Sequence, residues 1–539
     1  MSSAAARTVD AAAAKRTSQG ARAARFRTLA LAALPFVSSL VLVASFPPLA
    51  AAPLAWVGIV PLLIFLRAEP SAWRRVAMSG CAGTLFFALG TSWLTRTTTP
   101  GWLALAVYAG GLSWALFAAL AASALRSDRP WLRALGPAAA WVLSEYARGV
   151  LPANLPWLYL AHSQATHPSL VQSAAWGGAW LASALVVIVN AALASAARPR
   201  HAWVAVLGVG AIVVLASLTP SPSIGRSLRV GIVQPELGPR EKTDPALRAA
   251  VLDRLTSLSR EVTAPGGADV IVWPESSFPR TVGKEPGALL ELAGVARGLG
   301  RPLVTGVMTK SDHLRNSVVA LDGGGRVTSV YDKQRLVFVA EYLPSWIRNT
   351  PIEGLVTRGV RLPHRFDFAP GDGTRLLDVA GIPAAAAICL EHVSFAHVRA
   401  AVAAGARLVL NVGNEAAFQG TAELDQALAI ATLRAVENRV AVVRVLNSGL
   451  SGVIAPDGTI RTLPLGARAE VVEVPLAEGA RTPYTVLGEW VVWASAALLG
   501  ALRLGAILSR RPHFTVRATR AASVPAGASH ATVPAAWTT

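Results

Sequence analysis

Long apolar runs recur along the first 220 positions and once more near the end, bounded by arginine, proline or glycine. A bilayer core about 30 Å thick requires roughly 17–25 apolar residues per helix. Candidate runs lie at 28–45, 49–66, 75–94, 101–125, 133–149, 169–196, 202–219 and 485–508. They predict a bundle of about eight spans, the fifth being the weakest. Residues 1–27 carry Arg7, Lys15, Arg16, Arg22, Arg25 and Arg27 among alanines. Because one apolar run after another follows, they read as a basic N-terminus before an uncleaved span and not as a signal peptide.

From about 226 to 477 the pattern changes to short β-branched or continuously apolar runs separated by segments with three-and-four apolar spacing. Such alternation predicts a layered α/β domain. The strands are SLRVGIVQ, ADVIVWPE, RPLVTGVMT, NSVVALDG, GRVTSVYDK, TRLLDVAG, IPAAAAICLE, ARLVLNVGN, NRVAVVRVLN, SGVIAPDG and AEVVEVPL. Two hairpins are expected, one across the Gly-rich turn of NSVVALDGGGRVTSVYDK and one around Ala380 and Gly381. Covering helices are expected in DPALRAAVLDRLTSLSREV, GALLELAGVARGLG, FAHVRAAVAAGA and AELDQALAIATLRAVENR.

Composition supports a membrane setting. Charged residues are 15% of the 539 and hydrophobic ones 53%, against about 25% charged in an average soluble protein, and mean hydropathy is +0.46. The net charge of +19 would suggest nucleic acid in a soluble chain. Here the basic residues flank apolar runs, and no nucleic-acid motif, phosphate-binding glycine loop or metal-ligand cluster accompanies them. Alternate loops carry Arg67, Arg74 and Arg75; Arg126, Arg129 and Arg133; Arg198 and Arg200; and Arg510, Arg511, Arg517 and Arg520. The positive-inside rule puts these in the cytoplasm. Both termini are then inside, 226–477 lies on the opposite side, and 1–27 and 509–539 are expected to be disordered cytoplasmic ends. A transporter would place ionisable groups at mid-membrane, and these spans hold few. Glu145 and Arg148, near the outer end of the fifth span, are three apart and read equally as a structural ion pair or a contact to lipid head groups.

The two cysteines, Cys81 and Cys389, lack the spacing of a disulfide scaffold or a cysteine zinc site. Cys389 instead ends an apolar strand, as Glu275 and Lys333 end two others. Alone, each has an ordinary reading, a core cysteine or a solvated strand end. Together they supply a soft nucleophile, a base and a cation for an oxyanion, the requirements of acyl transfer.

WPESSFP at 273–279, YDKQRLV at 331–337 with EYLP at 341–344, and ICLE at 388–391 resemble the Glu-Lys-Cys motifs of the nitrilase, or carbon-nitrogen hydrolase, superfamily. SEYARG, LPWLYLAHSQ at 155–164 and Pro168, with an outer domain between a seventh and an eighth span, resemble its apolipoprotein N-acyltransferase branch over roughly 28–508. The resemblance implies an extracytoplasmic αββα sandwich at 226–477, inserted between a membrane domain at 28–219 and a last span at 485–508. It implies acyl transfer from a phospholipid to the N-terminal α-amine of a diacylglyceryl-cysteine apolipoprotein, without a cofactor or metal, at the bacterial inner membrane. By motif position Glu275 would be general base, Cys389 nucleophile and Lys333 the oxyanion cation. Glu341 and Glu391 would support the site, and the Leu390 N–H would be a second oxyanion donor.

Several positions depart from the family pattern. Leu390 stands where an aromatic residue is usual, Phe338, Val339 and Ala340 replace a Pro-Phe-Gly type stretch, Ala417 replaces a tryptophan, and the loop after Gln234 lacks one. These bear on chain preference and acceptor range. Three alternatives follow: an acyltransferase with another acceptor, a membrane-tethered amidase, and a transporter or receptor whose outer domain only binds.

Overall fold

The computed structural model describes all residues except 1, 152–154, 196–198, 219–222, 339, 344, 346, 358–367, 480 and 509–539. Arg198, Val339, Pro344 and the tail with Arg510, Arg511, Arg517 and Arg520 therefore lie outside the described residues. Each expected span coincides with helix: Ser2–Ala44, the broken Ala52–Ala68, Ala72–Gly90, Thr99–Leu125, Pro130–Val150, Ala174–Ala194, Pro199–Ser217 and Trp490–Leu508. Three stretches, Ala24–Ala44, Thr99–Leu125 and Ala174–Ala194, are long and apolar enough to cross a membrane. The first helix runs back to Ser2; alanine, the best helix former, dominates its first part.

Close approaches shape the bundle. A Cβ on Gly110 would stand 2.3 Å from the Gly83 carbonyl oxygen, so two helices meet there backbone to backbone. The sixth span bends where Gly178 adopts φ +66°, and the Tyr484 ring fills the space a side chain would need. The loop at 155–164 is wholly buried over 156–164. Glu145 Oε1 accepts the Trp141 indole N–H at 2.9 Å and the Leu160 N–H at 2.8 Å, and Arg148 donates to the Leu158 carbonyl at 3.2 Å. The ion-pair reading is therefore corrected: the two charges form no salt bridge within 4 Å, and each, itself buried, satisfies loop backbone that would otherwise be buried unpaired.

Among its described residues the other domain contains thirteen strands: β1 Ser223–Gln234, β2 Val270–Trp273, β3 Thr281–Val282, β4 Leu303–Lys310, β5 Leu314–Leu321, β6 Val327–Asp332, β7 Leu376–Val379, β8 Ile382–Ile388, β9 Leu408–Gly413, β10 Ala441–Leu446, β11 Gly452–Ile454, β12 Ile460–Thr462 and β13 Arg468–Glu478. All eleven expected strands are present. β3 and β12 have no buried position, so no apolar run marks them. One sheet runs β13-β1-β2-β4-β5-β6 with β3 against β4, the other β12-β11-β10-β9-β8-β7. Both expected hairpins form, β5 with β6 and β7 with β8, the latter turning on Ala380 and Gly381 at φ +52° and +82°.

The sheets pack face to face because residues alternate across each strand. Val270 and Val272 enter the core between the sheets with Leu408, Leu410 and Val412. Ile271 and Trp273 point outward to the helices Arg248–Glu261 and Ala288–Leu299. On the far face Val409 and Val442 meet Phe395–Ala403 and Glu423–Asn438. This is the four-layer αββα arrangement that the resemblance implied.

The Glu423–Asn438 helix also fixes the domain on the membrane part. Gln426 Oε1 accepts the indole N–H of Trp93 at 3.0 Å and of Trp157 at 2.6 Å, while its Nε2 donates to the Pro47 and Gly90 carbonyls. One buried amide thus joins three membrane segments to the sandwich.

Candidate active site

Parallel strands β2 and β8 lie in opposite sheets, and their carboxyl ends carry Glu275 and Cys389, with Lys333 just past β6. Lys333 Nζ donates to Glu341 Oε1 at 2.8 Å and stands 3.6 Å from Glu275 Oε1. Asn316, at the start of the inner run of β5, donates through Nδ2 to Glu275 at 2.7 Å and to Glu341 at 3.3 Å. Val337 N–H binds the other oxygen of Glu341 at 2.8 Å. Glu275, Lys333 and Glu341 are therefore brought together, with Cys389 near enough to feel the charges of all three.

Cys389 has φ +53°, in the left-handed region that a side chain rarely occupies. Its carbonyl is held by His392 Nδ1 at 2.8 Å and Asn411 Nδ2 at 3.1 Å, and Asn411 also binds the Ala387 carbonyl. These contacts fix the turn that presents the thiol, and Leu390 follows in the short 3₁₀ helix Cys389–Val393.

Glu391 is fully buried and touches no reacting group. Its Oε1 accepts from Gln334 N–H at 2.7 Å and Arg335 N–H at 3.0 Å, its Oε2 from Ile388 N–H at 2.9 Å, and the Tyr331 hydroxyl lies 3.0 Å from both oxygens. One carboxylate ties the lysine segment to the cysteine segment.

Electrostatics favour a resting thiol. Burial and the neighbouring Glu275 push the Cys389 thiol well above its ordinary range, and Lys333 only partly opposes this. Burial works against the Lys333 ammonium, but Glu275, Cys389 and Glu341 outweigh it and raise its affinity for the proton. The resting form of Cys389 is thus the protonated thiol. Lys333 keeps its charge and, with one N–H on Glu341, has donors left for an oxyanion.

The sequence reading missed Asn316, Asn411, His392, Lys242 and the buried Arg444–Glu415 ion pair. For Asn411 a signal was present, a lone amide inside the apolar run LVLNVG. Of the departures, Phe338 is exposed and meets Tyr342 edge to face, and Ala417 adjoins Phe418, which packs on Trp93.

Comparison with known proteins extends this beyond geometry. The family model of the apolipoprotein N-acyltransferase N-terminal domain matches residues 38–192, and that of the carbon-nitrogen hydrolases matches 229–484. The apolipoprotein N-acyltransferase of Geobacter metallireducens is 31% identical over 508 residues, which cover 88% of this chain and 94% of the relative. The chain belongs to the apolipoprotein N-acyltransferase family. The Azotobacter vinelandii apolipoprotein N-acyltransferase is 33% identical over 507 residues, covering 88% and 93%. A mutant of Nesterenkonia AN1 amidase, from the nitrilase superfamily, aligns over 48% of this chain and 94% of its own at 21% identity and a TM-score of 0.36. The family match spans both the apolar helices and the sandwich, so this chain carries the two parts of an apolipoprotein N-acyltransferase.

Proposed function

We propose that the protein transfers an acyl chain from a phospholipid to the N-terminal α-amine of a diacylglyceryl-cysteine apolipoprotein through a thioester on Cys389. The observation that carries this reading is the joining, in one chain, of the family's membrane domain to a hydrolase-type sandwich with Glu275, Lys333 and Cys389 at strand ends and Glu341 bonded to Lys333.

Cys389 Sγ attacks the ester carbonyl while Glu275 takes the thiol proton. The oxyanion is met by Lys333 Nζ and the Leu390 N–H. Collapse breaks the C–O bond, and Glu275 returns the proton to the departing lysophospholipid oxygen, leaving the thioester. The acceptor amine, arriving neutral, then attacks that carbonyl. Glu275 takes an amine proton, the C–S bond breaks, and the proton passes to the sulfur, giving an amide and a free thiol. Water must stay out, since hydrolysis would waste the thioester; a site at bilayer level lined with apolar side chains serves this.

The finer topology belongs to the same reading: eight spans, both termini cytoplasmic, and the sandwich on the periplasmic face of the bacterial inner membrane. There the lipid donor and an exported acceptor meet. Detergent-purified protein incubated with a defined phospholipid should gain one acyl mass that hydroxylamine removes, and Cys389→Ala should gain none. Equal acylation of the Cys389→Ala variant would sink the mechanism.

A further inference from the structure

The triad leaves a charge unaccounted for. Glu275 and Glu341 both face Lys333, so two carboxylates share one ammonium in a buried site. Asn316 bonds to both but carries no charge. The thiolate and the oxyanion that follows it must form in this environment. A net negative site would oppose both steps.

A second lysine stands at the same place. Lys242 lies on the short helix Pro239–Thr243, in the loop that follows β1, and its Nζ donates to the Glu275 backbone carbonyl at 3.3 Å. We propose that Lys242 is the second cation of the active site, a positioning residue that holds Glu275 by its carbonyl and offsets the second carboxylate so that negative charge can develop at Cys389. This rests on the acyl-transfer reading above and adds a residue to it. With Lys242 charged, two ammoniums face two carboxylates. Glu391 needs no such partner, because three backbone N–H groups and a hydroxyl meet it.

The groups that act on Lys242 are Glu275, past β2, and Cys389, past β8; both favour its charged form, but burial outweighs them and brings its pKa down to about 8. Its charge is therefore complete below that pH and lost as pH rises through it. The acylation half-reaction should then slow above about pH 8. Arginine, which does not titrate there, should remove that fall.

The test is single-turnover acylation from a defined phospholipid, read by intact mass between pH 6 and 10, in the wild type, Lys242→Arg and Lys242→Met. Iodoacetamide alkylation at pH 7, read at the Cys389 peptide because Cys81 is also free, checks that the thiol stays accessible in each variant. Lys242→Met should acylate at least tenfold more slowly at pH 7 and show no alkaline fall above pH 8, since it carries no cation at any pH. Lys242→Arg should restore the rate and keep it above pH 8. An alkaline fall in Lys242→Arg matching the wild type, or wild-type acylation at pH 7 in folded Lys242→Met, overturns the proposal. A wild type that forms no adduct sinks the acyl-transfer reading instead.

Discussion

Replacing Glu391 with glutamine keeps the side chain's shape and removes only its charge and half its acceptor capacity, which makes it a sharp probe of how the site is held together. The carboxylate now accepts three backbone N–H bonds and a tyrosine hydroxyl with no exposure to solvent. In the best amide orientation the oxygen keeps Gln334 and Arg335, while the NH2 faces the Ile388 N–H. Tyr331 can adapt, because its hydroxyl stands 3.0 Å from both positions and can go on donating to the remaining oxygen. Ile388 N–H cannot. An unsatisfied buried donor costs about 1–3 kcal/mol, and changing two charge-assisted bonds to neutral ones adds about 1 kcal/mol each. The sum is roughly 3–5 kcal/mol. The strain falls where the lysine and cysteine segments are tied, so acylation should drop at least about 100-fold, the scale of a 1 Å misplacement at a reacting group. Thermal unfolding in detergent and the acyl-adduct rate measure the two effects. A Glu391→Gln protein with wild-type unfolding and wild-type acylation would refute the argument. Tyr331→Phe, which leaves the three N–H bonds intact, should cost only about 1 kcal/mol.

Gly306 lets β4 touch the Glu275 turn, and a Cβ there would lie 2.5 Å from the Pro274 oxygen and 2.6 Å from Glu275 Cα; Gly306→Ala should slow acylation about 100-fold, while iodoacetamide still modifies Cys389, and unchanged acylation would show the contact to be slack. Gln426→Leu strands two indole N–H groups and two carbonyls between the sandwich and the membrane part. It should cost roughly 3–6 kcal/mol, seen as a lower unfolding midpoint and faster amide exchange along Glu423–Asn438; no change in either would mean the joint lies elsewhere.

The sequence by itself determined the elements and the chemistry. Long apolar runs mark the spans, and short continuous or alternating apolar positions mark the eleven expected strands. Glu275, Lys333 and Cys389 were legible because each follows such a run at a strand end, where a loop opens. Relations set by residues far apart in the chain were not legible. Glu145 and Arg148 looked like a pair because one helix face carries both, yet the buried loop at 158–160 takes their hydrogen bonds, since unpaired backbone there would cost more than the separated charges gain. Asn316, Lys242 and the support of Glu391 depend on which strand ends the two stacked sheets bring together. Pattern along one chain records which face a side chain takes; only packing decides what it meets there.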